Sequence, residues 1–243
     1  MSKLLAEYLG TALLILLGDG VVANVVLNKS KAQNAGWMVV ATGWGLAVTL
    51  AVYCVGTFSG GHLNPAVTLA LAAIGKFPAA DVAGYIAAQM AGAFTGAVLV
   101  WLAYLPHWRE TPDPAGKLGV FCTAPAIRHP VSNIICEVIG TFVLVLGVLA
   151  ILTPANLVEG SGFKSGFGPL LVGLLVLGIG VSLGGPTGYA INPARDFAPR
   201  LAHALLPIPG KGGSDWAYAW IPIVGPVIGG VAAGFFYKAC WPA

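Results

Sequence analysis

The sequence predicts an all-α membrane protein of six transmembrane helices and two re-entrant half-helices, arranged as an inverted repeat. Three observations predict it. The composition is apolar and nearly free of charge, six apolar stretches have spanning length, and two short motifs recur half a chain apart.

Of 243 residues, 57% are hydrophobic and 9% charged. A soluble domain carries about 25% charged residues, so this chain cannot cover itself with a water-facing surface. The mean hydropathy of +0.84 agrees. Glycine is abundant, with 34 residues, as suits membrane helices whose backbones approach closely. A net charge of +3 is too mild to call for nucleic acid. The four cysteines lack metal or disulfide spacing, and Cys54 and Cys136, in apolar stretches, read as small core side chains. The N-terminal apolar run has no small-residue cleavage site and reads as the first span.

A spanning helix needs roughly 20 apolar residues. The stretches at 4–27, 36–56, 82–105, 131–152, 166–185 and 216–237 qualify. Two apolar pieces, 65–74 and 193–206, are too short to span and read as half-helices entering from the surface. Charged or turn-rich segments separate them, with Lys29 and Lys31 in the first loop, a long loop at 107–130, and another at 153–165.

The halves echo each other. Glu7-Tyr8-Leu9-Gly10-Thr11 returns as Glu137-Val138-Ile139-Gly140-Thr141, and Asn64-Pro65-Ala66 as Asn192-Pro193-Ala194. The separations are nearly equal. The chain therefore reads as one channel domain over 1–243, with a first repeat at 1–106, a linking loop at 107–130 and a second repeat at 131–243. Each repeat holds three full spans, so the second enters from the opposite face. The even number of spans puts both termini on one side. Lys3, Lys76, Lys164 and Lys238 lie there, whereas Lys29, Lys31, Arg109, Lys117, Arg128 and Lys211 lie on the other. A positive-inside count would thus place the termini outside.

Asn is a strong N-cap, and Pro suits the first helical position, so each Asn-Pro-Ala opens a half-helix. Half-helices from opposite faces meet N-terminus to N-terminus near the midplane. Each Asn oxygen accepts from its own helix and holds its amide nitrogen outward as a donor. Two such donors would bind one passing oxygen and turn its hydrogens away along the pore, which breaks a proton relay. The positive helix ends oppose cations. No catalytic or metal constellation is found, and Gly18-Asp19-Gly20-Val21-Val22-Ala23, a loose dinucleotide fingerprint, lies inside an apolar span and fails on context.

Ser59-Gly60-Gly61-His62-Leu63-Asn64-Pro65-Ala66-Val67-Thr68 and Gly188-Tyr189-Ala190-Ile191-Asn192-Pro193-Ala194-Arg195-Asp196-Phe197 resemble the paired signatures of the aquaporin, or major intrinsic protein, family. The resemblance covers almost the whole chain. It implies an aquaporin-like fold, one pore per subunit, a homotetramer in the cell membrane, no cofactor, and cytoplasmic termini against the Lys/Arg count. It implies pore-lining backbone carbonyls at Gly60, Gly61 and His62 and at Gly188, Tyr189 and Ala190. It also implies a selectivity filter at Trp44, Gly180, Tyr189 and Arg195. Water-selective members carry His where this chain has Gly180, which leaves room. An indole paired with a second ring resembles the glycerol facilitator branch, as does Asp196 after Arg195. Two positions depart from that pattern. Tyr189 stands where Phe is usual, and Ala198 where Gly is often seen.

The implied function is a passive channel, not an enzyme, for glycerol and small uncharged solutes, with water, excluding ions and protons. Its partners are those solutes and membrane lipid. A water-selective pore and an ion-coupled secondary transporter are the alternatives; the latter would need Glu7 or Glu137 as a coupling site. Arg195 is costly at membrane depth, at least about 2.5–3.5 kcal/mol, and is expected to face water or a partner. Glu7 and Glu137 are expected to be structural, accepting from irregular loops whose backbone needs partners.

Overall fold

The computed structural model describes residues 1–153 and 166–241; Lys164 and most of the loop expected at 153–165 lie outside these. The first repeat consists of α1 (Lys3–Val26), α2 (Trp37–Ser59), the half-helix α3 (Pro65–Ala73) and α4 (Val82–Ala103). Two short helices follow, α5 (His107–Glu110) and α6 (Pro114–Phe121). The second repeat consists of α7 (Pro130–Ile151), α8 (Phe167–Leu183), the half-helix α9 (Pro193–Leu205) and α10 (Ile221–Cys240).

Boundaries fall where capping chemistry puts them. Ser2 caps α1 by accepting from Leu5 N. α2 ends at Gly60, whose φ of +86° closes the helix in the left-handed region that glycine adopts without penalty. In the linking segment, expected only as a loop, Asp113 accepts from Ala115 N and Gly116 N, and Pro114 follows, so α6 forms. α10 begins five residues later than the apolar stretch suggests. Trp216–Trp220 form a turn, and Pro222 sits in the first turn of the helix. Five of the full helices have the length and hydropathy of a span, and α8, at 17 residues, is a shorter sixth apolar helix.

Glycines set how closely the helices cross. A Cβ on Gly92 of α4 would lie 2.2 Å from Tyr8 O of α1, and one on Gly96 2.5 Å from Ala12 O. In the second repeat, a Cβ on Gly229 of α10 would lie 2.2 Å from Val138 O of α7. Gly45 and Gly173 make the α2–α8 crossing in the same way, each presenting its carbonyl where the other's Cβ would be. Lipid chains are as apolar as these helices, so close backbone packing takes over the role of the hydrophobic effect. The outward faces carry exposed Leu46, Leu50, Ile135, Ile139, Leu174 and Ile228. Cys54, read from sequence as a core side chain, is exposed on α2, and Cys136 is half-buried.

The half-helices bind the repeats together. α3 packs against α10, the last helix of the second repeat, and α9 against α4, the last helix of the first. α1 pairs with α4 and α7 with α10 within each repeat, while α2 and α8 pair between them.

Candidate pore and constriction

Two irregular loops lead into the half-helices. Left-handed φ values recur at Gly61 (+62°) and Leu63 (+50°), and again at Tyr189 (+38°) and Ile191 (+43°). A side chain in this region costs about 1–3 kcal/mol and persists only where its surroundings fix it. The alternation turns neighbouring peptide N–H groups to one side, where a buried carboxylate meets them. Glu7 Oε1 accepts from His62 N (3.0 Å) and Ser59 Oγ (2.6 Å), and Oε2 from Leu63 N and Gln89 Nε2 (both 2.8 Å). Glu137 repeats the pattern with Ala190 N (3.0 Å), Thr187 Oγ1 (2.6 Å) and Ile191 N (2.8 Å). Both oxygens of each acid are engaged, those of Glu7 by the first loop and Gln89 of α4 and those of Glu137 by the second loop, which makes the acids loop anchors.

At the meeting point, Asn64 Oδ1 accepts from Ala66 N (2.9 Å), and Asn192 Oδ1 from Ala194 N (3.0 Å) and Arg195 N (3.3 Å). The amide nitrogens reach across. Asn64 Nδ2 donates to Ile191 O and Asn192 Nδ2 to Leu63 O, both at 2.8 Å. One N–H of each amide thus ties the loops together and one remains. Pro65, Ala66, Pro193 and Ala194 are buried in the first turns behind the asparagines.

A cavity of about 840 Å³ runs past this point. Val48, Val52, Val67, Leu144, Val148 and Val176 wall it, with both asparagines and loop residues Gly60, Gly61, His62, Leu63, Tyr189, Ala190 and Ile191 also at its surface. His62 is held by Thr68 Oγ1 (3.1 Å), by an edge contact with the Phe77 ring and by a tilted contact with the Tyr85 ring. Gly188, expected among the lining carbonyls, does not reach the wall; its φ of +79° makes the turn against Thr123.

Trp44, Tyr189 and Arg195 all reach the cavity. The Arg195 guanidinium lies 4.2 Å from the Trp44 ring centre. Gly180 is placed differently from the expectation that it leaves open room. It is not at the cavity surface, because Tyr189 covers it: a Cβ there would stand 2.7 Å from both Cζ and the hydroxyl oxygen. Gly184 also underlies the ring, since a Cβ on it would stand 2.6 Å from Cδ1, and Trp37 packs edge-on against it while donating Nε1–H to Gly180 O. The glycines make a seat for the tyrosine, and the ring, not the gap, forms the wall. The Tyr189 hydroxyl has no partner among the described residues.

Asp196 belongs to a separate clamp. Oδ2 accepts from Thr123 N and Oγ1, both at 2.7 Å, and Oδ1 from Arg200 Nε at 2.9 Å. Arg200 in turn donates to Thr123 O and Ser214 O. This fastens the segment after α6 and the loop before α10 to α9. Ala198 is buried on α9. Outside the membrane-spanning segments, the Lys29 ammonium holds the Glu110 carboxyl below its ordinary pKa of 4.5. Sequence reasoning did not reach Gln89 or Thr187, and it gave Gly18 and Asp19 no role once the loose fingerprint was rejected. A lone amide or acid inside an apolar span was the available signal.

Comparison with known proteins places this geometry. The family described as Major intrinsic protein matches residues 1–237. A probable glycerol uptake facilitator protein of Thermotoga maritima is 62% identical over 238 residues, covering 98% of this chain and 99% of its own. The glycerol uptake facilitator protein of Bacillus subtilis is 57% identical, covering 99% of this chain and 85% of its own. Among solved structures, the aquaglyceroporin of Plasmodium falciparum superposes with a TM-score of 0.85 at 31% identity, over 98% of this chain and 95% of that one.

Proposed function

The chain belongs to the major intrinsic protein family, and from that premise we propose that it is a passive membrane channel for glycerol. The observation that carries the reading is the constriction of Trp44, Tyr189 and Arg195 at the surface of one continuous cavity. The two rings offer apolar contact for a carbon backbone, and the guanidinium held against Trp44 offers donors to hydroxyl groups. Small uncharged solutes of similar section, and water, pass by the same path. The Thermotoga and Bacillus relatives carry the name of glycerol uptake facilitators, which supports the same solute.

Ion and proton exclusion follow from the midplane. The facing half-helix N-termini repel cations, and the remaining N–H of each Asn amide orients a passing oxygen so that its hydrogens point away from the junction. The chain acts as a homotetramer in the plasma membrane with both termini cytoplasmic, against the Lys/Arg count. No covalent chemistry is called for.

The test is stopped-flow light scattering of proteoliposomes. Glycerol permeability should rise in proportion to protein dose, with no matching proton leak by an internal pH dye. Glycerol flux no greater than that of empty vesicles, or a proton conductance that scales with dose, would overturn the reading. Arg195→Ala should assemble normally and relax discrimination against cations.

A further inference from the structure

The rejected fingerprint at Gly18-Asp19 has a place behind the constriction. Gly18 is required there, since a Cβ would fall 2.2–2.4 Å from Cζ3, Cε3 and Cη2 of Trp44. Asp19, the next residue of α1, is fully buried, and its Oδ1 lies 3.4 Å from Arg195 Nη1. The same Nη1 donates to Phe121 O at 3.3 Å. Both hydrogens of that nitrogen are thus directed at protein acceptors. Among the described residues no acceptor engages Arg195 Nε or Nη2.

Asp196 is nearer in sequence but does not serve as the counter-ion. Its two oxygens are occupied by Arg200 and by Thr123. Glu7 and Glu137 are occupied by the loops. Asp19 is therefore the carboxylate left to balance Arg195, and its Oδ2 has no other partner to share the charge with.

We propose that Asp19 is a specificity-determining positioning residue of the constriction. It neutralises Arg195 from behind and holds the guanidinium on the Trp44 face, so that the pore presents donors without a net positive charge. Such a constriction favours neutral polyols and gives small anions no site. Removing the carboxylate leaves an uncompensated cation in a low-dielectric passage, where a fixed charge concentrates ions of opposite sign on the order of tenfold or more. Asp19 acts through Arg195 and does not touch the solute. The inference rests on the channel reading, and the wild-type glycerol flux tests that reading separately.

The experiment compares wild type, Asp19→Asn, Arg195→Gln and the double variant in proteoliposomes, with nitrate as the probe anion. Wild-type glycerol flux should be indifferent to nitrate. Asp19→Asn should become nitrate-sensitive, with glycerol flux halved at a nitrate concentration on the order of tenfold or more below any that slows wild type, and the double variant should lose that sensitivity. If Asp19→Asn does not assemble, restored assembly in the double variant would support the same coupling, because no buried cation is then left unpaired. The proposal is overturned if Asp19→Asn is as indifferent to nitrate as wild type. It is equally overturned if nitrate sensitivity persists without Arg195, or if the single and double variants fail to assemble alike.

Discussion

The seat of Tyr189 can be tested by adding a single methyl group. In Gly180→Ala the new Cβ would stand 2.7 Å from the ring's Cζ and hydroxyl oxygen and 3.1 Å from Cε2. Carbon contacts settle at about 3.5–4.0 Å, so the ring must retreat by about 1 Å. It cannot do so sideways, because Trp37 abuts it edge-on and Gly184 lies beneath its other side. The free direction is into the lumen, toward Trp44 and Arg195. Overpacking of this size costs about 1–3 kcal/mol. Where the ring yields inward, a comparable energy is added to the barrier for the bulkier solute, and each 1.4 kcal/mol is about tenfold in rate. Glycerol permeability should therefore fall by roughly 5- to 150-fold, while water, needing a narrower path, loses much less. The assay is stopped-flow scattering of proteoliposomes at matched protein density, with oligomer elution as the control for assembly. Gly180→Ala combined with Tyr189→Leu should recover glycerol flux. Glycerol flux within about twofold of wild type in an intact Gly180→Ala oligomer would refute the argument that the ring forms the wall.

Three further outcomes are expected. Glu137→Gln sets an amide nitrogen against at least one of the donors Ala190 N, Ile191 N and Thr187 Oγ1 and removes the charge from the bonds that remain, costing about 3 kcal/mol; oligomer yield and thermal stability in detergent should drop together. Gly229→Ala drives a methyl into Val138 O and should destabilise the α7–α10 pair by about 1–3 kcal/mol, measured as a lower unfolding temperature, whereas Gly178→Ala, with open space around it, should not. The Lys29–Glu110 pair lowers the Glu110 pKa below 4.5, so its contribution is complete at neutral pH and disappears as pH falls through that lowered value; hydrogen-exchange protection at residues 28–34, taken relative to the intrinsic amide rate at each pH, should fall on acidification, and Lys29→Met should remove that pH dependence.

Much of this architecture was legible because membrane physics leaves few choices. Apolar length located the helices, Asn-Pro set the half-helix starts, and the echo of Glu7 by Glu137 marked the loop anchors. What escaped depended on distance in three dimensions. Gly180 was legible as a missing side chain, but not that Tyr189 would lie across it, since that follows from a left-handed φ at Tyr189 and the α8 face it meets. Asp19 was visible as an acid in an apolar span. Its partner lies on α9, far along the chain, and no local pattern connects the two. The short helix α6 was hidden by treating a charged segment as a loop, although Asp113-Pro114 is the same cap-and-proline signal that opens α3 and α9.

The packing of α3 on α10 and of α9 on α4 has a consequence for biogenesis. Each half of the chain shelters the other's short helix, so neither half completes its own interior. During synthesis α3 emerges long before α10 exists and must wait with the face that α10 covers still open. Closure belongs to the final helix, and a chain truncated before Ile221 would leave the first repeat as open as the second. Two separately expressed halves, by contrast, hold complementary surfaces and could rebuild the pore by exchanging these helices, the arrangement expected of an ancestor that was a pair of identical, oppositely inserted subunits.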